Sequence, residues 1–203
     1  MIQILYITNQ YPTIDSPDYG VFTKEQIKDV LNNEINGKIL FINAREKGIN
    51  EYIKAFFYVR KNYKKFDLIH CFHGLSLIIT FFATSNNKIL VSFLNSIENE
   101  SFKSNLFTNK IYTYIYKFIA KKNRVYKIFK DKIPYDTALS KRSFYLPNGV
   151  DINFFKESDR NDACYKLDLD PKMKYILFVS SKDLNRIQKR YDIYKEVILY
   201  LKN

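Results

Sequence analysis

Asp67-Leu-Ile-His-Cys-Phe-His-Gly-Leu-Ser-Leu-Ile-Ile-Thr-Phe-Phe-Ala-Thr-Ser-Asn-Asn-Lys-Ile-Leu-Val-Ser-Phe-Leu94 decides the fold. It opens on a short β-rich run, Asp67 to Cys71, passes Gly74, and continues as a helical segment from Leu75 to Thr84. It closes on Lys88 to Leu94, which is almost wholly apolar, as a strand must be when both of its faces are covered. Strand, helix and strand in this order describe a right-handed crossover between parallel strands. Outward from this unit the alternation persists. Ile2 to Thr8 is β-rich and ends in a turn-forming stretch, Asn9 to Gly20, that holds Pro12, Pro17 and Gly20. Val21 to Leu31 has helical spacing through Phe22, Ile27, Val30 and Leu31, and Gly37 stops that segment before a second strand at Lys38 to Asn43. Glu51 to Tyr63 is helical, with Ile53, Phe56, Phe57, Val59 and Tyr63 apolar. A long helix over Leu106 to Lys122 and two short strands, Arg124 to Phe129 and Ser143 to Leu146, complete the pattern.

The spacing therefore predicts an α/β fold, a Rossmann-like doubly wound parallel sheet over residues 1–150. The remainder, residues 151–203, begins at the turn Pro147-Asn-Gly-Val-Asp151. It predicts a helix over Asn161 to Leu169, a strand over Lys174 to Ser180 and an amphipathic helix over Gln188 to Leu201. A lone strand–helix unit cannot bury both faces of its strand. It either joins the first sheet or begins a second, incomplete Rossmann-like domain.

Composition narrows the class. The 203 residues are 46% apolar and 27% charged, with a mean hydropathy of −0.31, which suits a packed core and excludes intrinsic disorder. Cys71 and Cys164 cannot form a disulfide framework, and no leader opens the chain, so a reducing cytoplasmic location is expected. The longest apolar run, Leu75 to Ala83, is too short to span a bilayer. Against 21 acidic residues stand 33 basic ones, a net charge of +12 that attracts anionic partners. Abundant Lys, Asn, Ile, Tyr and Phe with scarce Gly and no Trp is also what an AT-rich coding sequence produces, so the charge alone does not define a patch.

With these positions laid out, the chain resembles glycosyltransferase family 4, retaining enzymes of the GT-B fold. Ile4-Leu-Tyr-Ile-Thr-Asn-Gln-Tyr-Pro12, followed by Gly20-Val-Phe-Thr-Lys-Glu-Gln26, is similar to the family's opening strand and glycine loop. Phe66-Asp-Leu-Ile-His-Cys-Phe-His-Gly-Leu-Ser76 is similar to its "D-hiHaHyg" segment, and Tyr145-Leu-Pro-Asn-Gly-Val-Asp151 to its "iPNGVD" stretch. Leu167 to Leu169, Tyr175 to Ser180 and Gln188-Lys-Arg-Tyr-Asp192 resemble the start of the nucleotide-binding second domain. Family members run to roughly twice this length, and the paired-glutamate motif of their donor domain lies outside these residues. At the family's "fHGsD" position stands Phe93-Leu-Asn-Ser-Ile97, without the histidine.

The resemblance implies transfer of a sugar from a nucleotide-sugar to a glycan or lipid-linked acceptor, in polysaccharide or cell-envelope biosynthesis. No cofactor is implied, the nucleotide-sugar being the donor substrate. It implies a chain inactive by itself: a fragment, one half of a split enzyme completed by a partner chain, or a remnant. The alternative from another class is a non-catalytic binding module on an anionic membrane or a partner transferase.

Six residues are candidates for substrate binding. Gly20 closes the loop at the C-terminal edge of the first strand, where α/β sheets bind ligands and where a missing side chain lets backbone N–H groups approach a phosphate or sugar. It can equally serve only a turn with positive φ. His73, before Gly74, faces the inter-domain cleft if it follows the family, or is merely hydrogen-bonded at a helix start. Asn95 and Ser96 follow the fourth strand on the same edge and can bond sugar hydroxyls, while Glu98 and Glu100 fit helix N-terminal charges better than an acid–base pair. The resemblance gives Lys189, and more loosely Arg186, the donor diphosphate. His70, Cys71 and His73 do not make a zinc site, and no metal is expected. Lys110 to Lys127 interleaves tyrosines with basic residues. Helical spacing explains Ile111, Ile115, Phe118 and Ile119 as its core stripe, and peripheral membrane contact is the other reading. No nucleic-acid motif is present, so no nucleic-acid partner is expected.

Overall fold

In a computed structural model of the chain, residues 1–31, 34–93, 106–132, 142–179 and 190–202 are described. The chain divides into two compact units, Met1–Gly149 and Val150–Asn203.

The first unit is a Rossmann-like α/β layer structure. Its strands are β1 (Ile2–Thr8), β2 (Ile35–Phe41), β3 (Leu68–Cys71), β4 (Lys88–Phe93), β5 (Val125–Phe129) and β6 (Ser143–Tyr145). They form one sheet of order β2-β1-β3-β4-β5-β6, every pair parallel. Its helices are α1 (Val21–Val30), the single turn α2 (Ala44–Lys47), α3 (Asn50–Asn62), α4 (Gly74–Ala83) and α5 (Leu106–Ala120). Crossover handedness sorts the helices: α1 returns the chain leftward to β2, whereas α3, α4 and α5 each carry it rightward, so they cover opposite faces.

The period-two alternation of the strands matches that arrangement. Leu5, Ile7, Ile69, Cys71, Ile89, Val91, Phe93, Val125 and Phe129 pack with Val59, Leu77, Tyr116 and Ile119 into the main core under α3–α5. Ile4, Tyr6 and Phe72 face the other way, onto Ile27 of α1. The central register sets Ile7 opposite Cys71, and Cys71 opposite Val91. At the start of β5 and along it, two basic side chains close helix ends. The Arg124 guanidinium donates to the Thr84 hydroxyl at 2.8 Å and the Phe81 carbonyl at 2.6 Å, and lies 4.2 Å over the Phe81 ring. Lys127, buried, donates to the Ala120 carbonyl at 2.9 Å. Cations suit these positions because the last carbonyls of a helix are unpaired and carry its negative pole.

Three sequence expectations are corrected. Gly37 does not stop a helix; it lies inside β2, which starts at Ile35. A Cβ there would meet the Tyr6 ring at 2.6 Å, so the glycine admits an aromatic ring against the strand. In α5 the buried stripe is Tyr112, Tyr116 and Ile119 with Ile115 partly buried, while Ile111 and Phe118 are exposed. The helix is turned so that Tyr116 meets Phe93 edge-on at 5.3 Å, an aromatic contact made in the core while Ile111 and Phe118 face outward.

The third correction is in the second unit. Lys174–Val179 carries no ladder pairing, and Ser180 lies outside the described residues. An extended segment becomes a strand only against a partner backbone, and the second unit has no strand among its described residues. Phe178 instead packs its ring on Tyr191 and Tyr194 of α7 (Tyr191–Lys202), at 5.2 and 4.8 Å. The remaining helix, α6 (Arg160–Lys166), is capped by Asp159, whose carboxylate accepts from the Asn161 and Asp162 N–H groups at 2.8 and 3.2 Å.

Candidate functional site at the β1–β3 edge

The strand order runs 2-1 in one direction and 3-4-5-6 in the other, so the connections diverge between β1 and β3. The crevice outside the carboxyl ends of the strands at such a reversal is where open α/β sheets take their ligands. Gly20 and His73 both stand there, one closing the loop that leaves β1, the other two residues beyond the end of β3.

Gly20 is held by two independent constraints. Its φ is +77°, and a Cβ would fall 2.4 Å from the Gln10 carbonyl carbon and 2.6 Å from the Tyr11 nitrogen. The loop thus folds back on its own first residues, and only glycine fits the close approach. Its carbonyl accepts from the Thr23 and Lys24 N–H groups, opening α1. The loop is pinned elsewhere as well. The Thr8 hydroxyl accepts from the Gln10 N–H at 3.0 Å and donates to the Gln10 carbonyl at 2.9 Å. The Asn9 amide donates to the Tyr52 hydroxyl at 3.2 Å, and Arg45 lies 4.8 Å over the Tyr19 ring. The Asn9 side-chain oxygen, Oδ1, is buried without a hydrogen-bond partner among the described residues.

His73 is the N-cap of α4, its Nδ1 accepting the Leu75 N–H at 3.2 Å. A ring that accepts at Nδ1 and is neutral carries its proton on Nε2, which leaves one donor for a ligand oxygen. Burial pushes its pKa down to about 4, so the cap is uncharged at neutral pH. The first turns of α1 and α4 contain no acidic residue, so the positive poles of both helices remain uncompensated at this edge.

Deeper in the sheet lies a polar group that sequence patterns do not reveal. His70 Nε2 is 2.9 Å from the Ser92 hydroxyl, bridging β3 to β4, and the imidazole stacks on Phe72 at 4.3 Å. Burial, then the nearby Lys130 ammonium, pushes its pKa down to about 3. Lys130, just past β5, is half-buried and has its own pKa lowered by that burial. Only the register of three strands joins these residues, which is why spacing along the chain hides them. Cys71 points to the opposite face, against the Thr80 hydroxyl at 3.3 Å, and burial pushes its thiol up to about 12, so it is an inert core group.

Asn95, Ser96, Glu98, Glu100, Arg186 and Lys189 lie outside the described residues. Among the described residues no three His, Cys, Asp or Glu side chains gather in a way that could hold a metal ion, and no helix is long and apolar enough to cross a membrane.

These features define a Rossmann-like domain with a glycine loop and two helix N-termini at its switch point. No family model matches the chain, and no curated protein sequence matches it. Among solved structures it is similar to Anabaena Alr3699/HepE, determined in complex with UDP-glucose, with a TM-score of 0.52 and 13% sequence identity. The match covers 83% of this chain and 50% of that one, so the chain spans half the length of the structure it resembles. At that identity the likeness is one of fold.

Proposed function

We propose that the chain is part of a glycosyltransferase of the family 4 type, built on the GT-B plan, which uses a nucleotide-sugar and is inactive as this chain alone. Met1–Gly149 is the acceptor-side domain, and Val150–Asn203 opens the donor-side domain. The reaction moves a sugar from the nucleotide to a glycan or lipid-linked acceptor in cytoplasmic polysaccharide or cell-envelope assembly, with no metal. The observation that carries this reading is the shared fold with a protein solved around UDP-glucose, together with a ligand edge built for a polar, anionic molecule.

The candidate residues take the following tasks in that chemistry. The Gly20 loop exposes backbone to the sugar or phosphate without a side chain between them. The α1 and α4 N-termini favour the negative charge of the diphosphate and of the leaving nucleotide. His73, neutral, donates from Nε2 to a sugar oxygen while its other nitrogen holds the helix start. Lys189 and Arg186 are assigned the diphosphate and Asn95 and Ser96 the sugar hydroxyls on the sequence resemblance.

Saturation-transfer NMR against a panel of nucleotide-sugars, UDP-glucose included, tests this reading. Expected is transfer to sugar protons of at least one donor, weakened several-fold by His73→Asn, which keeps an N-cap acceptor but deletes the ring N–H. Absence of transfer from every nucleotide-sugar, or transfer indifferent to His73→Asn, contradicts it.

A further inference from the structure

We propose that the amino-terminal end of the sheet, where α3, α4 and α5 hand the chain back to β3, β4 and β5, is a docking surface for an acidic polypeptide segment. A helix that crosses between parallel strands runs back along the sheet, so all three helices end at the edge opposite Gly20 and His73. The connections they feed are basic. Lys61, Lys64 and Lys65 precede β3, Lys88 starts β4, and Lys121 and Lys122 precede β5, every one of them exposed. No acidic residue lies between Arg60 and Phe66, between Thr84 and Lys88, or between Lys121 and Arg124. Asp67, at the entry to β3, accepts the Gln3 N–H at 2.8 Å. None of the six ammonium groups has a carboxylate partner among the described residues. The ligand edge differs, because signs alternate there: Arg45, Glu46 and Lys47 follow β2, and Lys130, Asp131 and Lys132 follow β5. Composition leaves the positive charge without a place, and the fold gathers much of it at one end.

The connections form one fixed surface, since β3, β4 and β5 are neighbours in the sheet. The Asn87 amide donates to the Tyr63 and Phe66 carbonyls, both at 3.1 Å, and the Tyr63 and Ser85 hydroxyls meet at 3.2 Å. The Arg124 carbonyl accepts the Ile89 N–H at 2.8 Å, and the Arg142 guanidinium, at the entry to β6, donates to the Asn123 side chain at 3.0 Å. A partner therefore does not have to order this backbone on binding. The surroundings choose the occupant. Tyr63 and Phe66 pack inward on the core, and no large apolar side chain of these connections is exposed. They thus offer no ring to stack a base and no group to enter an acyl layer. Three helix C-termini also converge here, and Arg60, Arg124 and Lys127 bond only the Ala83, Phe81 and Ala120 carbonyls. A phosphate chain pressed onto the surface meets the remaining negative poles, whereas carboxylates on flexible stems reach the lysine tips that stand clear of it. A second copy brings the same lysines and is repelled. This inference does not rest on sugar transfer; the two stand or fall by separate measurements.

Fluorescence anisotropy of the full chain with labelled polyglutamate, beside a single-stranded oligonucleotide of equal charge, tests it. Expected is saturable binding of polyglutamate, tighter than that of the oligonucleotide and reversed by high salt. Lys64→Gln with Lys65→Gln, and separately Lys121→Gln with Lys122→Gln, each weaken it by about fivefold. Lys24→Gln with Lys28→Gln on α1 removes the same charge elsewhere and leaves binding as it was. In the unsubstituted chain, polyglutamate shifts the amides of Lys64, Ser85 and Asn123 together, a readout that needs no variant to fold. Four results overturn the proposal: no binding of polyglutamate, equal or tighter binding of the oligonucleotide, an equal loss from the α1 variant, or amide shifts confined to other parts of the chain.

Discussion

His70 and His73 keep a single protonation state across the range in which free imidazoles titrate. Their pKa values fall from 6.5 to about 3 and about 4, in both cases chiefly because burial penalises the cation. In the unfolded chain both protonate near 6.5. Between roughly pH 6.5 and 4 the unfolded state therefore binds more protons than the folded one, and stability falls as pH falls. It is present in full above 6.5 and declines by about 1.4 kcal/mol per pH unit for each imidazole within that window. Urea titrations between pH 7 and pH 5 measure this slope. His70→Asn, which can still bond the Ser92 hydroxyl, should reduce it by about half; an unchanged slope would mean that His70 is protonated in the folded state.

At the scale of elements, Arg124 is the clearest test of how the layers are tied. One guanidinium closes the end of α4 through two hydrogen bonds and a ring contact. Arg124→Met keeps the aliphatic stem over Phe81 and removes the bonds, and chemical denaturation should register a loss of about 1.5–3 kcal/mol. Arg124→Lys should recover little, because an ammonium cannot bond the Thr84 hydroxyl and the Phe81 carbonyl in the guanidinium's planar fork. Most elements were legible beforehand, since the strands of this sheet are short apolar runs and its helices carry a clear period. The exceptions each have a physical cause. Gly37 reads as punctuation, but a ring from the neighbouring strand occupies the place of its side chain. Lys174–Val179 has a strand's composition, but among the described residues of its unit no strand pairs with it. In α5 Ile119 and, in part, Ile115 lie on the core side as the spacing implies, but Tyr112 and Tyr116 take the core places of Ile111 and Phe118 because tyrosines there act as core residues.

Across the whole molecule, strand order matters most and is least written in the sequence. Alternation announces a parallel sheet but does not say that β1 lies between β2 and β3. The reversal that follows from that order is what makes the Gly20 loop and His73 neighbours of one crevice. Only the register joins His70, Ser92 and Lys130, whereas Gly20 is marked in the sequence by its place at the end of the loop after the first strand and by the family resemblance. The most direct measurement is an amide ¹H–¹⁵N titration of the chain with UDP-glucose. A ligand held at the switch point should shift the amides of Asn9, Gly20, Val21, His73 and Gly74 together and saturably. Shifts confined to other parts of the chain, or none with any nucleotide-sugar, would contradict a donor site at the β1–β3 edge.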